Sequence, residues 1–148
     1  MLVGLLLGLP ALIAWLTGRS FIFPSLGPTA YSLVINGQGE ATGRRVIGGH
    51  LIGIAGGLLA YHLVAHGLTL VALPAALSLP LLRLAASGVI SVVITTAGML
   101  AMKAQHPPAC ATTLLISLGL LTTFRDAIFI ILAVTMMFAV RRIMPPDL

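Results

Sequence analysis

The sequence predicts an all-α polytopic membrane protein, and three observations carry that expectation. Of 148 residues, 59% are hydrophobic and 7% are charged. A soluble domain carries about 25% charged residues, so this chain has too few to build a solvated surface. The mean hydropathy is +1.13, and the apolar residues gather in runs of membrane-spanning length. Turn residues then divide the runs into two similar halves, residues 2–64 and 81–143, inside one transmembrane domain over residues 1–148. Each half reads as long helix, proline-opened short half-helix, long helix. The expected fold is therefore four long and two short helices in two inverted repeats.

The first long helix is expected over Leu2 to Leu16, with a kink at Pro10. At 1.5 Å per residue it is about 22 Å long. It is apolar but has neither a basic leading segment nor a small-residue cleavage site, so it is not read as a signal peptide. Next comes FIFPSLGPTAY at residues 21–31, which sets turn formers among residues unfit for a surface loop. Phe21 to Gly27 reads as non-helical backbone at membrane depth, with an interfacial loop as the alternative. Such backbone survives only when buried in protein or lining a watery cavity. It would deliver a half-helix starting at Pro28 and ended by Asn36-Gly37.

Val46 to Val64 reads as the second long helix and Leu81 to Met102 as the third, joined by Gly67 to Pro80. The second short helix opens at Pro107-Pro108 and reaches Leu121; Ala127 to Ile143 closes the set. The short helices would be about 13 Å and about 21 Å long, less than a core about 30 Å thick. Proline-interrupted short segments at matching places in two halves point to a transporter's binding site.

The net charge is +5. Arg19, Arg44, Arg45, Arg83, Lys103, Arg125, Arg141 and Arg142 punctuate the apolar runs and form no stripe of the kind nucleic-acid readers use. They read as topology signals, and nucleic acid is not an expected partner. Six crossings set Arg44, Arg45, Lys103, Arg141 and Arg142 against Arg19, Arg83 and Arg125. Four crossings, with re-entrant short helices, set Arg19, Arg44, Arg45, Lys103 and Arg125 against the rest. Both put Arg44, Arg45 and Lys103 in the cytosol, and inversion of the second repeat favours six.

The acids narrow the function. Glu40 falls in a polar loop, Asp126 at the mouth of the last helix and Asp147 in the tail; none is mid-span. Cation pathways and proton relays usually place a carboxylate inside the membrane, so a small anion is the expected cargo. Helix N-termini attract anions through free N–H groups and the helix dipole, each worth about 0.3–2 kcal/mol. The expected site brings Gly27-Pro28-Thr29 and Pro107-Pro108-Ala109 together to hold one anion. Ser25, Thr29 and Thr112 would add hydroxyls, His50 and His106 ring donors, and Lys103 a charge at the end of the Ser87, Ser91, Thr95 stripe. Each has an ordinary alternative: hydroxyls bonded to their own helix, a snorkelling lysine, a turn histidine at the interface. His62 and His66 read as interfacial. Gly49, Gly53 and Gly57 form a small-residue face for close packing, internal or between two copies, and a homodimer is expected. With no nucleophile–base pair and no metal-ligand cluster in view, no enzyme activity, cofactor or metal is expected.

Three stretches taken together, QHPPACATTLL, RRVIGGH and FPSLGPTAY, resemble the HPP family of integral membrane proteins. The family takes its name from the His-Pro-Pro motif, here His106-Pro107-Pro108. The resemblance covers nearly the whole chain. His106 to Ala109 match its signature, and Gly48, Gly49 and His50 its second motif. It implies a transporter, described with four membrane helices, whose bacterial and plastid members are linked to nitrite uptake. It thereby implies a nitrite-like substrate and a multi-pass place in a bacterial inner membrane. A channel for a neutral solute or ammonium, and a non-transporting membrane partner, are the alternatives.

Overall fold

The computed structural model describes residues 2–36, 39 and 41–145, and among them the chain is all-helical. We number the helices α1 (Leu2–Thr17), α2 (Ile22–Ile35), α3 (Gly43–Ala60), α4 (Leu79–Ala101), α5 (Ala109–Ser117) and α6 (Phe124–Ile143). A π-helical turn, Tyr61–Ala65, extends α3. Together they make a 23-residue segment, Gly43–Ala65, which like α4 is long and apolar enough to cross a membrane. The expected loop acid Glu40, the helix-ending Gly37 and the tail acid Asp147 lie outside the described residues.

Side-chain oxygens start three of the helices. Thr42 accepts the Arg45 N–H, Ser78 the Leu81 N–H, and Thr123 forms a capping box with Asp126. Contacts between ends then show that successive helices alternate in direction. At one end Arg44 donates from Nε and Nη2 to the Met102 carbonyl, at 3.1 and 2.7 Å, and Arg141 Nε donates to the Leu33 carbonyl at 3.1 Å. At the other, Arg19 Nε lies 3.1 Å from Asp126 Oδ1, Arg83 Nε donates to the Val64 carbonyl, and Leu70 N–H to the Leu118 carbonyl.

Burial is inverted relative to a water-soluble bundle. Ser25, Thr29, His50, Ser87, Ser91, Thr95, Thr112, Thr113 and Ser117 are all fully buried, while Trp15, Leu63, Phe124 and Ile143 are among the many large apolar residues left exposed. In water this would bury polar groups and wet the apolar ones; against lipid tails it costs nothing on the outside.

The first short element departs from expectation. α2 runs unbroken from Ile22 to Ile35, with Pro28 inside it, so Phe21 to Gly27 is not extended backbone and no half-helix starts at Pro28. The reason is a stripe of fully buried residues, Ile22, Leu26, Ala30 and Leu33, at spacings of four, four and three. That stripe packs α2 between α1 and α6 and carries the helix through the proline, which forfeits one backbone bond. Pro24 sits in the first turn, where its missing N–H goes unmissed. The second short element does open after Pro107-Pro108, but it ends at Ser117, four residues before Leu121, because Gly119 takes a left-handed conformation (φ 83°). There Gly119 and Leu120 donate to the Ile116 and Leu115 carbonyls, closing the helix as a Schellman motif.

The glycine face of α3 is spent within the chain. A Cβ on Gly53 would come 2.7 Å from Thr113 Oγ1, and one on Gly57 would come 2.9 Å from Ile116 Cβ. Both contacts are with α5, so the glycines seat α5 closely on α3. A homodimer would have to use another face.

Candidate functional site

Helix α3 carries His50 two turns from its start, where α5 packs against it and Thr29 of α2 reaches it. The ring is fully buried. Its Nε2 stands 2.9 Å from Thr29 Oγ1 on α2, and its Nδ1 stands 3.0 Å from Thr112 Oγ1 on α5. A neutral imidazole has one N–H and one lone pair, so one hydroxyl accepts and the other donates. His50 thus bridges the two halves of the chain.

His106 approaches from the segment between α4 and α5. Its ring centroid is 5.3 Å from that of His50, with the planes 57° apart. Its backbone N–H points to Met99 Sδ at 3.5 Å. Its Nε2 is buried and has no hydrogen-bond partner among the described residues. A buried polar atom left in that state calls for an explanation. His106 also lines a cavity of about 200 Å³ with Thr96, Met99, Gln105, Pro107 and Cys110. Pro107 and Pro108 border a second hollow of about 430 Å³, whose far wall is Pro28, Tyr31, Ser32 and Asn36 of α2 and its end.

The two proline segments therefore face each other across one groove. They do not offer free amides there. Thr29 lies inside α2, and at the start of α5 the N–H groups of Ala109, Cys110 and Ala111 already donate to the carbonyls of His106, Pro107 and Pro108. Tight i→i−3 bonds have taken up the donors that a helix N-terminus usually leaves open.

Other expected site residues fall elsewhere. Ser25 Oγ donates to the Ile22 carbonyl in its own helix. Gly27 has open space where a Cβ would sit. Ala109 is fully buried, with its carbonyl 3.0 Å from a Cβ built on Gly53, so its small side chain serves helix packing. Lys103 stands exposed just past α4 in a left-handed conformation (φ 52°), where Lys103 and Ala104 donate to the Leu100 and Met99 carbonyls. It closes the helix with its side chain exposed.

Thr113 is a polar contributor that the sequence reading missed. Its Oγ1 donates to the carbonyls of Gly53 and Ala109 and meets Thr95 Oγ1 at 3.2 Å. The signal was present: two adjacent threonines on a helix wedged between α3 and α4 must face different neighbours. Only Thr95 of the expected stripe reaches across to another side chain. Ser87 donates to the Ser117 carbonyl and Ser91 to the Gly88 carbonyl.

No curated protein and no solved structure matches the chain. The family described as HPP, transmembrane region, matches residues 1–145. That span takes in the His106-Pro107-Pro108 motif and His50 alike, and the chain belongs to the HPP family.

Proposed function

We propose that this chain moves a small inorganic anion of the nitrite type across the bilayer, past the His50–His106 pair. Membership of a membrane-protein family with a transport role supports the class of activity. The observation that carries the site is His106 Nε2, buried without a hydrogen-bond partner among the described residues, beside a His50 held on both sides by threonine hydroxyls. An anion entering such a place loses water and needs donors in return. The imidazoles and the Thr29 and Thr112 hydroxyls are donors that can turn toward it, and the groove between Pro28 and Pro108 gives an approach.

The same proposal takes the membrane to be crossed six times. Its support is the alternation in direction of α1 to α6, which gathers Arg44, Arg45, Lys103, Arg141 and Arg142 at one end of the bundle and Arg19, Arg83 and Arg125 at the other. The richer end would face the cytosol.

A neutral hydrogen-bonding solute is the second reading. It is favoured by the lining of both cavities, which includes no lysine or arginine. Flux of nitrite, ammonium, urea and sodium into vesicles holding the purified chain tests both. Nitrite flux above that of ammonium supports the anion. Urea or ammonium ahead of nitrite overturns it in favour of the second reading, and no flux of any solute overturns both.

A further inference from the structure

Away from the buried pair, α3 ends in a second pair of histidines. His62 and His66 are one turn apart, on the π-helical turn Tyr61–Ala65 and the residue after it, and both are exposed. Their ring centroids are 5.5 Å apart and the planes 37° from parallel. Among the described residues neither imidazole has a hydrogen-bond partner. Tyr61 stands beside them, its ring 5.2 Å from His62 and 6.1 Å from His66. Its hydroxyl accepts the Gly67 N–H at 3.2 Å, which fixes the chain just beyond the second histidine.

We infer that His62 and His66 bind a divalent transition-metal ion of the Cu²⁺ or Zn²⁺ class at the surface of the bundle. The ring spacing admits a two-imidazole chelate. One nitrogen of each ring at about 2.0–2.1 Å from an ion sets the centroids about 5 Å apart at a tetrahedral angle and about 4.5 Å apart at the right angle of a tetragonal Cu²⁺ site. The observed 5.5 Å reaches either spacing by rotation of the two exposed side chains. No group of three histidine, cysteine, aspartate or glutamate ligands occurs among the described residues, so water completes the coordination. Arg83 donates to the Val64 carbonyl between the two histidines, and its charge opposes a bound cation. The site therefore selects the ion that imidazole holds most tightly, and Cu²⁺ leads the divalent series. π-helical turns inside or at the end of α-helices are frequent at functional sites.

This inference does not depend on the transport reading. The test is titration of the full chain in detergent, free of any polyhistidine tag, with Cu²⁺ by calorimetry and electron paramagnetic resonance. Wild type should bind one ion per chain with nitrogen hyperfine splitting in the spectrum. His62→Ala and His66→Ala should each weaken binding about tenfold or more, and the double variant should lose the nitrogen signature. The inference is overturned by no binding in wild type at large excess of Cu²⁺. It is equally overturned by unchanged binding in either single variant, or by a double variant that keeps the signal.

Discussion

A Cβ placed on Gly49 would stand 2.7 Å from the Cβ of His106. The glycine is thus the seat on which the His-Pro-Pro segment rests, and it explains how an irregular stretch before α5 can press a histidine against α3. Gly49→Ala should displace His106, cost about 1–3 kcal/mol of stability as overpacking does, and abolish flux. The neighbouring Gly48 is the control. A Cβ there meets Ala104 Cβ at an ordinary 3.6 Å, so Gly48→Ala should melt and transport like wild type. Equal behaviour of the two variants in thermal unfolding would show that the close contact carries no weight.

Thr29→Val and Thr112→Val each keep the shape of the side chain and remove one partner of the buried His50 ring. A buried ring nitrogen left unpaired costs about 1–3 kcal/mol. Serine at either position should restore most of the loss, because it keeps the hydroxyl. Denaturation of the four variants in one detergent decides it: valine variants as stable as the serine ones would mean that the His50 bridge is dispensable.

His106→Ala tests the transport site. Removing a hydrogen bond to a charged cargo, worth about 1.5–3 kcal/mol, should lower nitrite flux by about tenfold or more. Nε2 has no hydrogen-bond partner among the described residues, so any fall in stability should come from the lost packing of the buried ring alone. Wild-type flux in a correctly inserted variant would remove His106 from the path.

Lys103→Gly should do the opposite of what a substrate-binding lysine demands. A non-glycine residue in the left-handed region costs about 1–2 kcal/mol, so glycine at this position should raise the melting temperature while flux is unchanged. Lost transport with retained stability would return Lys103 to the pathway.

Single cysteines in a Cys110→Ser background, at Asn36 and Lys103 for one end and at Thr69 for the other, should react with an impermeant maleimide from opposite sides of the membrane. Labelling of all three from one side would reject alternation of the helices across the bilayer.

Much of the fold could be read from hydropathy alone: the apolar runs expected to start at Val46, Leu81 and Ala127 lie within a few residues of the observed helices, which caps at Thr42, Ser78 and Thr123 begin two or three residues earlier. The candidate site was legible by residue type more than by mechanism. Thr29, His50, His106 and Thr112 do converge, and the prolines at 28 and 107–108 do face one groove. The misplaced part was backbone chemistry. Pro28 looks like a helix start because proline favours that position, yet the stripe through Ile22, Leu26, Ala30 and Leu33 binds both sides of it into one helix. That outcome depends on α1 and α6 being present to bury the stripe, which a local reading of residues 21–31 does not weigh. Likewise the α5 amides look free until the His106, Pro107 and Pro108 carbonyls fold back onto them.

Arg44, Arg83 and Arg141 each reach across to a carbonyl at the end of a different helix, at Met102, Val64 and Leu33. Carbonyls at helix C-termini have no donor of their own helix to meet, so these side chains act as rivets and, under the six-crossing proposal, as orientation marks as well. Swapping such an arginine for a neutral residue would loosen the bundle and weaken the insertion signal at once, and a misfolded product would be mistaken for an inverted one. Arginine to lysine separates the two roles. Arg44→Lys keeps the charge that marks the cytosolic end under the six-crossing proposal and loses the two-pronged grip on Met102.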